Sequence, residues 1–336
     1  MTVRRNSRVV LTREIEGAPS AEDFRVVDAP MPQPADGELL IRHIYLSLDP
    51  YQRGAIAGRH GPGAPLGEGD MPPGETVGQI VASQHPDFAP GDYVRSFGGW
   101  QEYSTAAGDT VFPVDGNRAP ISTYLGALGM PGLTAYASII ELASVQQGQT
   151  VLVSAASGPV GTTLGQIAIN RGASVIGIAG SADKCRYVID ELGFSDCIDY
   201  KRDDYHERLQ AAAGEGFDIY HDNVGGQMLA DAIMVMRPYG TVVLCGLMSQ
   251  YNDPALAKDL YIGLPIMKRL TMKGLVVYDF EDRRAALVDL VAPWIAAGSF
   301  RINEDRVNGI EYAGAHFARL MAGQNFGKAL VVIGAE

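Results

Sequence analysis

Residues 150–184 read TVLVSAASGPVGTTLGQIAINRGASVIGIAGSADK. An apolar run at 151–155 meets a turn of small residues, Ala156-Ser157-Gly158-Pro159-Val160-Gly161. A helical pattern carried by Leu164, Ile167 and Ala168 follows, then a second apolar run at 175–179. Strand, small-residue turn, helix and strand within about 30 residues make the first half of a dinucleotide-binding unit. A nucleotide pyrophosphate needs bare backbone N–H groups at a helix N-terminus, and side chains would block its approach. Ala156, Gly158 and Gly161 take the three small positions of G-x-G-x-x-G, with alanine in the first.

The end of the second strand sharpens this reading. NAD sites usually place Asp or Glu there to bind the ribose 2′-hydroxyl. Here the chain reads Ala179-Gly180-Ser181, without charge, and Lys184 follows within one helical turn. An acid would repel a 2′-phosphate, whereas a hydroxyl and an ammonium hold it by charge-assisted hydrogen bonds. The expected cofactor is therefore NADP (NADPH) rather than NAD.

Working outward, 336 residues are enough for two domains, each with its own core. A hydrophobic share of 46% and a charged share of 20% are ordinary for a soluble globular protein. The formal net charge of −12 argues against a nucleic-acid partner, because phosphate binding needs a concentrated positive surface. No apolar run approaches a membrane span, and Met1-Thr2-Val3-Arg4-Arg5 lacks a signal peptide's apolar core. The expectation is a cytoplasmic protein with no membrane partner. The three cysteines (Cys185, Cys197, Cys245) show no C-x-x-C spacing, and the six histidines show no ligand spacing. No metal is expected.

Before residue 125 or so the texture is short β-like runs, at 8–11, 24–28, 38–47, 77–83, 93–97 and 102–105, separated by Pro/Gly/Asp turns. This stretch reads as an irregular, mostly antiparallel β domain. From Leu128 the pattern changes to α/β alternation, with a helix at 133–142. Strands are expected at 151–155, 174–179, 196–199, 217–222, 241–246 and 272–278. Two more of these runs end in small residues, at Asn223-Val224-Gly225-Gly226 and at Gly246. In an open parallel sheet such turns line one crevice beyond the carboxyl ends of the strands. An amphipathic segment at 283–297, a helix at 312–322 and a strand at 328–333 complete the chain. The last strand has no evident partner in the parallel sheet and is expected to return to the first domain.

Several segments together resemble the zinc-independent medium-chain dehydrogenase/reductases, in the branch of leukotriene B4 dehydrogenase/prostaglandin reductases and alkenal double-bond reductases. They are LSLDPYQR (46–53), GMPGLTAY (129–136), the loop at 155–161, AGS (179–181) with Lys184-Cys185, DNVGG (222–226), Cys245-Gly246 with SQYN (249–252), and NFGKA (325–329). The resemblance implies an α/β fold: a GroES-like β domain of residues 1–125 and 296–336, with a Rossmann, doubly wound parallel-sheet domain at 126–295. It also implies NADPH as hydride donor and a homodimer paired along Rossmann sheet edges. Gly158, Val160 and Gly161 would cover the pyrophosphate, and Ser181, Lys184 and Tyr200 would surround the 2′-phosphate. Asn223, Cys245, Gly246 and Ser249 would line the nicotinamide side, and Asn325 would reach it from the C-terminal segment. Zinc-dependent relatives carry a cysteine at the start of the segment that here reads Leu46-Ser47-Leu48-Asp49, and Gly-His-Glu where this chain has Pro73-Gly74-Glu75.

The chemistry implied is NADPH-dependent reduction of the C=C bond of α,β-unsaturated aldehydes and ketones. Without zinc, the carbonyl oxygen must be stabilised by hydrogen-bond donors as charge builds on it. Tyr51 is the catalytic candidate, its hydroxyl polarising the carbonyl or delivering a proton. The competing reading has Tyr51 packed in a turn fixed by Pro50, with Asp49 and Arg53 paired structurally. Met267 stands where many relatives carry a tyrosine that approaches the substrate, which makes the site more apolar. Residues 60–65 and 250–260 are candidates for a closing loop. Quinone reduction, dehydrogenation of lipid-mediator alcohols and non-catalytic NADP binding stay open as alternatives.

Overall fold

The structure, a computed structural model, describes residues 5–60, 63–257 and 260–336. The turn-rich N-terminal stretch forms strands β1 (Arg5–Leu11), β2 (Phe24–Pro30) and β3 (Glu38–Ser47), helix α1 (Tyr51–Ile56), and strands β4 (Thr76–Ser83), β5 (Tyr93–Ser96), β6 (Tyr103–Ala107) and β7 (Phe112–Pro113). Helix α2 (Met130–Tyr136) then runs into a π-helical turn, Ala137–Leu142. The alternating region follows as β8 (Thr150–Ser154), α3 (Pro159–Asn170), β9 (Ser174–Ala179), α4 (Ala182–Asp190), β10 (Asp196–Asp199), α5 (Tyr205–Ala213), β11 (Phe217–Asp222), α6 (Gly226–Met234), β12 (Met236–Leu244), α7 (Gly263–Lys268), β13 (Thr271–Gly274) and α8 (Arg284–Ala296). The chain closes with β14 (Glu304–Asn308), α9 (Ala313–Met321) and β15 (Lys328–Val332).

Two units result. The described residues up to Leu125 join Glu304–Glu336 in one, and Gly126–Asn303 forms the other. In the first, β15 lies parallel to β14 and antiparallel to β3, with Val331 opposite Leu46, so the final strand closes the antiparallel sheet. Its core centres on Trp100, fully buried, with Phe24 stacked at 5.3 Å and Phe317 edge-on at 5.5 Å between ring centroids.

In the second unit the order is β10-β9-β8-β11-β12-β13, with every pairing parallel. This is the doubly wound order in which the first and fourth strands of the unit are neighbours, and the crevice opens between their carboxyl ends. Val151, Leu152 and Val153 are wholly buried although consecutive, because helices cover both faces of a parallel sheet. That is why the region reads as apolar runs without alternation.

Three boundaries differ from the sequence reading. β12 begins at Met236 rather than 241, its pairing with β11 slipping between Phe217 and Ile219 and Tyr239 taking a φ of 67°. β13 stops at Gly274, since Val277–Arg283 winds into a 3-10 turn. The return to the first unit falls at Glu304 rather than 296. The Gln166 amide on α3 holds the segment before it, donating to Arg301 O (3.1 Å) and accepting from Arg301 N (2.8 Å). Among the described residues no helix is long and apolar enough to cross a membrane.

Candidate functional site

The loop after β8 is shaped by backbone contact. Ala155 takes a φ of 51°, a left-handed conformation rare without glycine, and Gly158 caps α3 with no side chain bonded to the helix end. Pro159 has no N–H to leave unpaired, and the N–H groups of Val160 and Gly161 lie in the first turn, where no intrahelical carbonyl reaches them. A Cβ on Gly161 would stand 2.7 Å from both Ala155 O and Ala156 Cα, and one on Gly158 would be 3.2 Å from Ala155 O. Gly177 on β9 is equally confined, since its Cβ would meet that of Ala156 at 2.7 Å. The result is a side-chain-free cradle at the N-terminus of a helix of 12 residues. It fits the pyrophosphate of a dinucleotide.

At the end of β9 the expected 2′-phosphate residues come together. Ser181 caps α4, its Oγ accepting from Lys184 N at 3.3 Å. Tyr200 folds back over Gly180, whose Cβ would lie 3.0 Å from the Tyr200 ring and 3.3 Å from its hydroxyl. Lys201 joins them and was missed in the sequence. Its Cε would be 3.4 Å from the same Cβ, and its Nζ stands 5.8 Å from the Tyr200 ring centroid. The only sign in the sequence is a lysine beside the tyrosine.

The loops after β11 and β12 are zipped to each other. Cys245 N and Gly246 N donate to Asp222 O (2.9 and 3.1 Å), Met248 N to Asn223 O (3.2 Å), and the Ser249 hydroxyl to Val224 O (2.7 Å). Asp222, to which the sequence gave no separate role, ties the turn together. Its carboxylate accepts from Tyr220 Oη (2.7 Å), Val224 N (3.1 Å) and Gly225 N (3.0 Å). Burial nonetheless pushes its pKa above the usual carboxylate value. The Asn223 side chain faces inward: Nδ2 donates to Ser154 O at 2.8 Å and Oδ1 meets His221 Nε2 at 3.1 Å, while His221 Nδ1 meets Ser138 Oγ at 2.7 Å. Asn223 thus locks β8 to β11 at the crevice, its backbone N–H also donating to Ser154 Oγ (2.8 Å) and its carbonyl facing the loop. Burial pushes the Cys245 thiol up to about 12, with Asp222 adding to the effect, so it stays neutral.

His221 and, in the other unit, His43 are wholly buried, and desolvation lowers their pKa values to about 4 and about 3. The unfolded chain, with a value near 6.5, therefore takes up protons first. Stability from each is complete above pH 6.5 and is lost as the pH falls toward the folded value. Going from pH 7 to pH 5 is expected to cost about 2 kcal/mol per histidine, read from urea midpoints at the two pH values. A flat profile would reject the assignment.

Tyr51 and Asn325 belong to the first unit, and the other expected site residues to the second. Tyr51 opens α1 after Pro50, and the segment before it is tightly stapled. Asp49 N donates to Gln52 Oε1 (3.1 Å) and Gln52 Nε2 to Ser47 O (3.0 Å), while the Ser47 hydroxyl bonds the Asp49 carboxylate. The Asp49–Arg53 pair considered from sequence does not form. Asp49 instead pairs with Lys328 at 2.5 Å, and the Arg53 guanidinium donates to Ile15 O and Gly17 O, both at 2.9 Å. Distance in the chain hid Lys328, which β15 brings beside β3. Asn325 caps its own turn through Nδ2 to Gly327 O at 2.8 Å.

Met267 is 68% exposed on α7, and Tyr261 and Tyr278 are exposed too. Of the candidate closing loops, residues 61–62 and 258–259 lie outside the described residues. Glu75, standing where zinc-dependent relatives have Gly-His-Glu, is buried in an ion pair with Arg95. Among the described residues no three His, Cys, Asp or Glu side chains group as metal ligands.

A family described as the N-terminal domain of oxidoreductase matches residues 7–114, and one described as zinc-binding dehydrogenase matches 159–292. The chain is 35% identical to the NADPH-dependent curcumin reductase of Escherichia coli (strain K12), over 99% of this chain and 98% of that protein. It is 34% identical to the 2-alkenal reductase (NADP(+)-dependent) of Nicotiana tabacum, over 98% of each. The crystal structure of CurA in complex with NADPH from Vibrio vulnificus superposes with a TM-score of 0.92 at 36% identity, covering 98% of this chain and all of that one. The chain belongs to the zinc-independent branch of the medium-chain dehydrogenase/reductases. Within that branch it is an NADPH-dependent reductase.

Proposed function

We propose that the protein reduces the carbon–carbon double bond of α,β-unsaturated aldehydes and ketones. Tyr51 carries the reading: the Ser47–Asp49–Gln52 staple and the buried Lys328 ion pair hold the start of α1, and with it the one phenol in that segment. When bound, NADPH supplies the hydride that the β-carbon takes. The Tyr51 hydroxyl donates to the carbonyl oxygen while negative charge develops there, and a fixed donor needs no reorganisation at that moment. The name of the tobacco relative, a 2-alkenal reductase, supports the same substrate class. In this reading Val160 and Gly161 bind the pyrophosphate, and Ser181, Lys184, Tyr200 and Lys201 bind the 2′-phosphate. Two subunits pair along β13, which among the described residues bonds only to β12 and lies after the exposed Ile266 and Met267.

The test is product analysis by mass spectrometry after NADPH oxidation with a 2-alkenal. The saturated aldehyde is expected, and allylic alcohol would refute the proposal. Tyr51→Phe should lower kcat about a hundredfold with KM little changed. For the cofactor, Lys184→Ala should raise KM for NADPH about tenfold more than KM for NADH, as loss of one charge-assisted contact requires. Equal changes for the two coenzymes would remove Lys184 from the 2′-phosphate site.

A further inference from the structure

Two of the three cysteines, Cys185 and Cys197, meet beneath the coenzyme site, and no step of the reduction uses them. Cys185 is the fourth residue of α4, and its N–H donates to Ser181 O (3.0 Å), the same residue whose hydroxyl caps the helix. Cys197 lies on β10 opposite Gly177 of β9, three residues before Tyr200. Helix α4 packs on β9 and β10, and the Cys197 thiol donates a hydrogen bond to the Cys185 sulfur. Both residues are buried. A Cβ on Gly177 would stand 3.2 Å from Cys197 Sγ and 2.7 Å from Ala156 Cβ. Only that bare glycine separates the sulfur from the pyrophosphate loop.

The pair spans the two segments that present the 2′-phosphate residues. Ser181 and Lys184 stand at the start of α4, and Tyr200 and Lys201 follow the end of β10. The two sulfurs are also unequal. The hydrogen bond from Cys197 holds the Cys185 thiol below its ordinary value, against burial and the nearby Asp199 and Asp196, with Arg208 helping. Cys197 is pushed up by the same bond and by burial. Cys185 also lies in the first turn of a helix of nine residues, beside Lys184, where a thiolate is favoured. Cys185 is therefore the sulfur that reacts first, with Cys197 in place to resolve it.

We propose that Cys185 and Cys197 are an oxidation site, which a peroxide converts to a disulfide that weakens NADPH binding. The Cys185 thiolate attacks one peroxide oxygen, the O–O bond breaks, and the departing hydroxide takes a proton to become water. The Cys197 sulfur then attacks the Cys185 sulfenic acid. The S–O bond breaks as the S–S bond forms, and the Cys197 proton leaves with the hydroxide as a second water. Two thiols are oxidised and one peroxide is reduced. A disulfide holds its sulfurs at about 2.05 Å, far inside a thiol–thiol hydrogen bond, so the first turn of α4 must move toward β10. Lys184 moves with it, and a charge-assisted contact to a 2′-phosphate is lost. The selectivity for NADPH rests on the 2′-phosphate assignment above, whereas the crosslink does not.

The test treats the full chain with hydrogen peroxide, blocks remaining thiols with N-ethylmaleimide and maps tryptic peptides without reductant. The dipeptide Cys185-Arg186 is expected joined to the peptide of residues 187–201, lighter by two hydrogen atoms than the reduced pair, with Cys245 recovered as its maleimide adduct. Fluorescence titration of the crosslinked protein should give a Kd for NADPH about tenfold higher, with Kd for NADH little changed, and dithiothreitol should restore both. Cys197→Ser should form no crosslink and keep its coenzyme preference after peroxide. Where that variant fails to fold, reversal by dithiothreitol in the wild type carries the test. Recovery of Cys185 and Cys197 as separate maleimide adducts or sulfinic acids overturns the proposal, and so does a crosslink that leaves both Kd values unchanged. If Lys184→Ala affects the two coenzymes alike while the crosslink forms and raises both Kd values, the 2′-phosphate reading falls and the oxidation site stands.

Discussion

Gly161→Val should weaken NADPH binding at least about a thousandfold while the chain still folds. The Cβ it adds would sit 2.7 Å from two backbone atoms of the β8–α3 loop, so the loop must move rather than a side chain rotate. Ala155 is already left-handed, at a φ of 51°, and has little conformational slack to absorb that shift. The same displacement swings the N–H groups of Val160 and Gly161 away from their common focus, and the pyrophosphate loses both its donors and its close approach to the helix end. Three lost contacts at about 1.4 kcal/mol each give roughly this factor. Fluorescence titration with NADPH measures it, and circular dichroism checks the fold. Unchanged affinity would show that the cofactor does not lie on this loop.

Lys328→Met should cost about 3–5 kcal/mol of stability. Lys328 and Asp49 are each at most 5% exposed in their side chains, and the lysine also donates to Leu48 O at 3.0 Å. Removing it leaves a carboxylate in the core with only a hydroxyl and no cation, the costly case, whereas removing both charges is far milder. A drop in Tm of roughly 10 °C is expected, largely recovered in Asp49→Asn/Lys328→Met. Calorimetry decides between the explanations. If the double variant is no better than the single one, the loss belongs to packing of the lysine stem rather than to charge. Because the pair anchors the turn before Tyr51, kcat should fall in the single variant even at temperatures where it is folded.

Much of the cofactor half was legible because its signals are local. A parallel strand covered on both faces must be continuously apolar, and a pyrophosphate loop must be free of side chains, so 151–161 announces both within 11 residues. The Ser181 cap and Lys184 lie three residues apart on one turn and are read the same way. What stayed hidden depends on partners far along the chain. The side chain of Asn223 looked available to a ligand, yet it is bonded to Ser154, 69 residues earlier. Asp49 looked like a partner for Arg53, yet its cation comes from 279 residues away. Lys201 is exposed and follows an ordinary strand, so only the fold-back over Gly180 sets it apart.

The residue order alone therefore determined the doubly wound nucleotide unit and the preference for a phosphorylated coenzyme. Each follows from steric and charge requirements met within a few neighbouring positions. Tertiary structure decided which polar side chains are committed to the scaffold and where the C-terminal strand closes the first sheet. Those outcomes depend on strand pairing and burial between distant segments, and no local pattern encodes them.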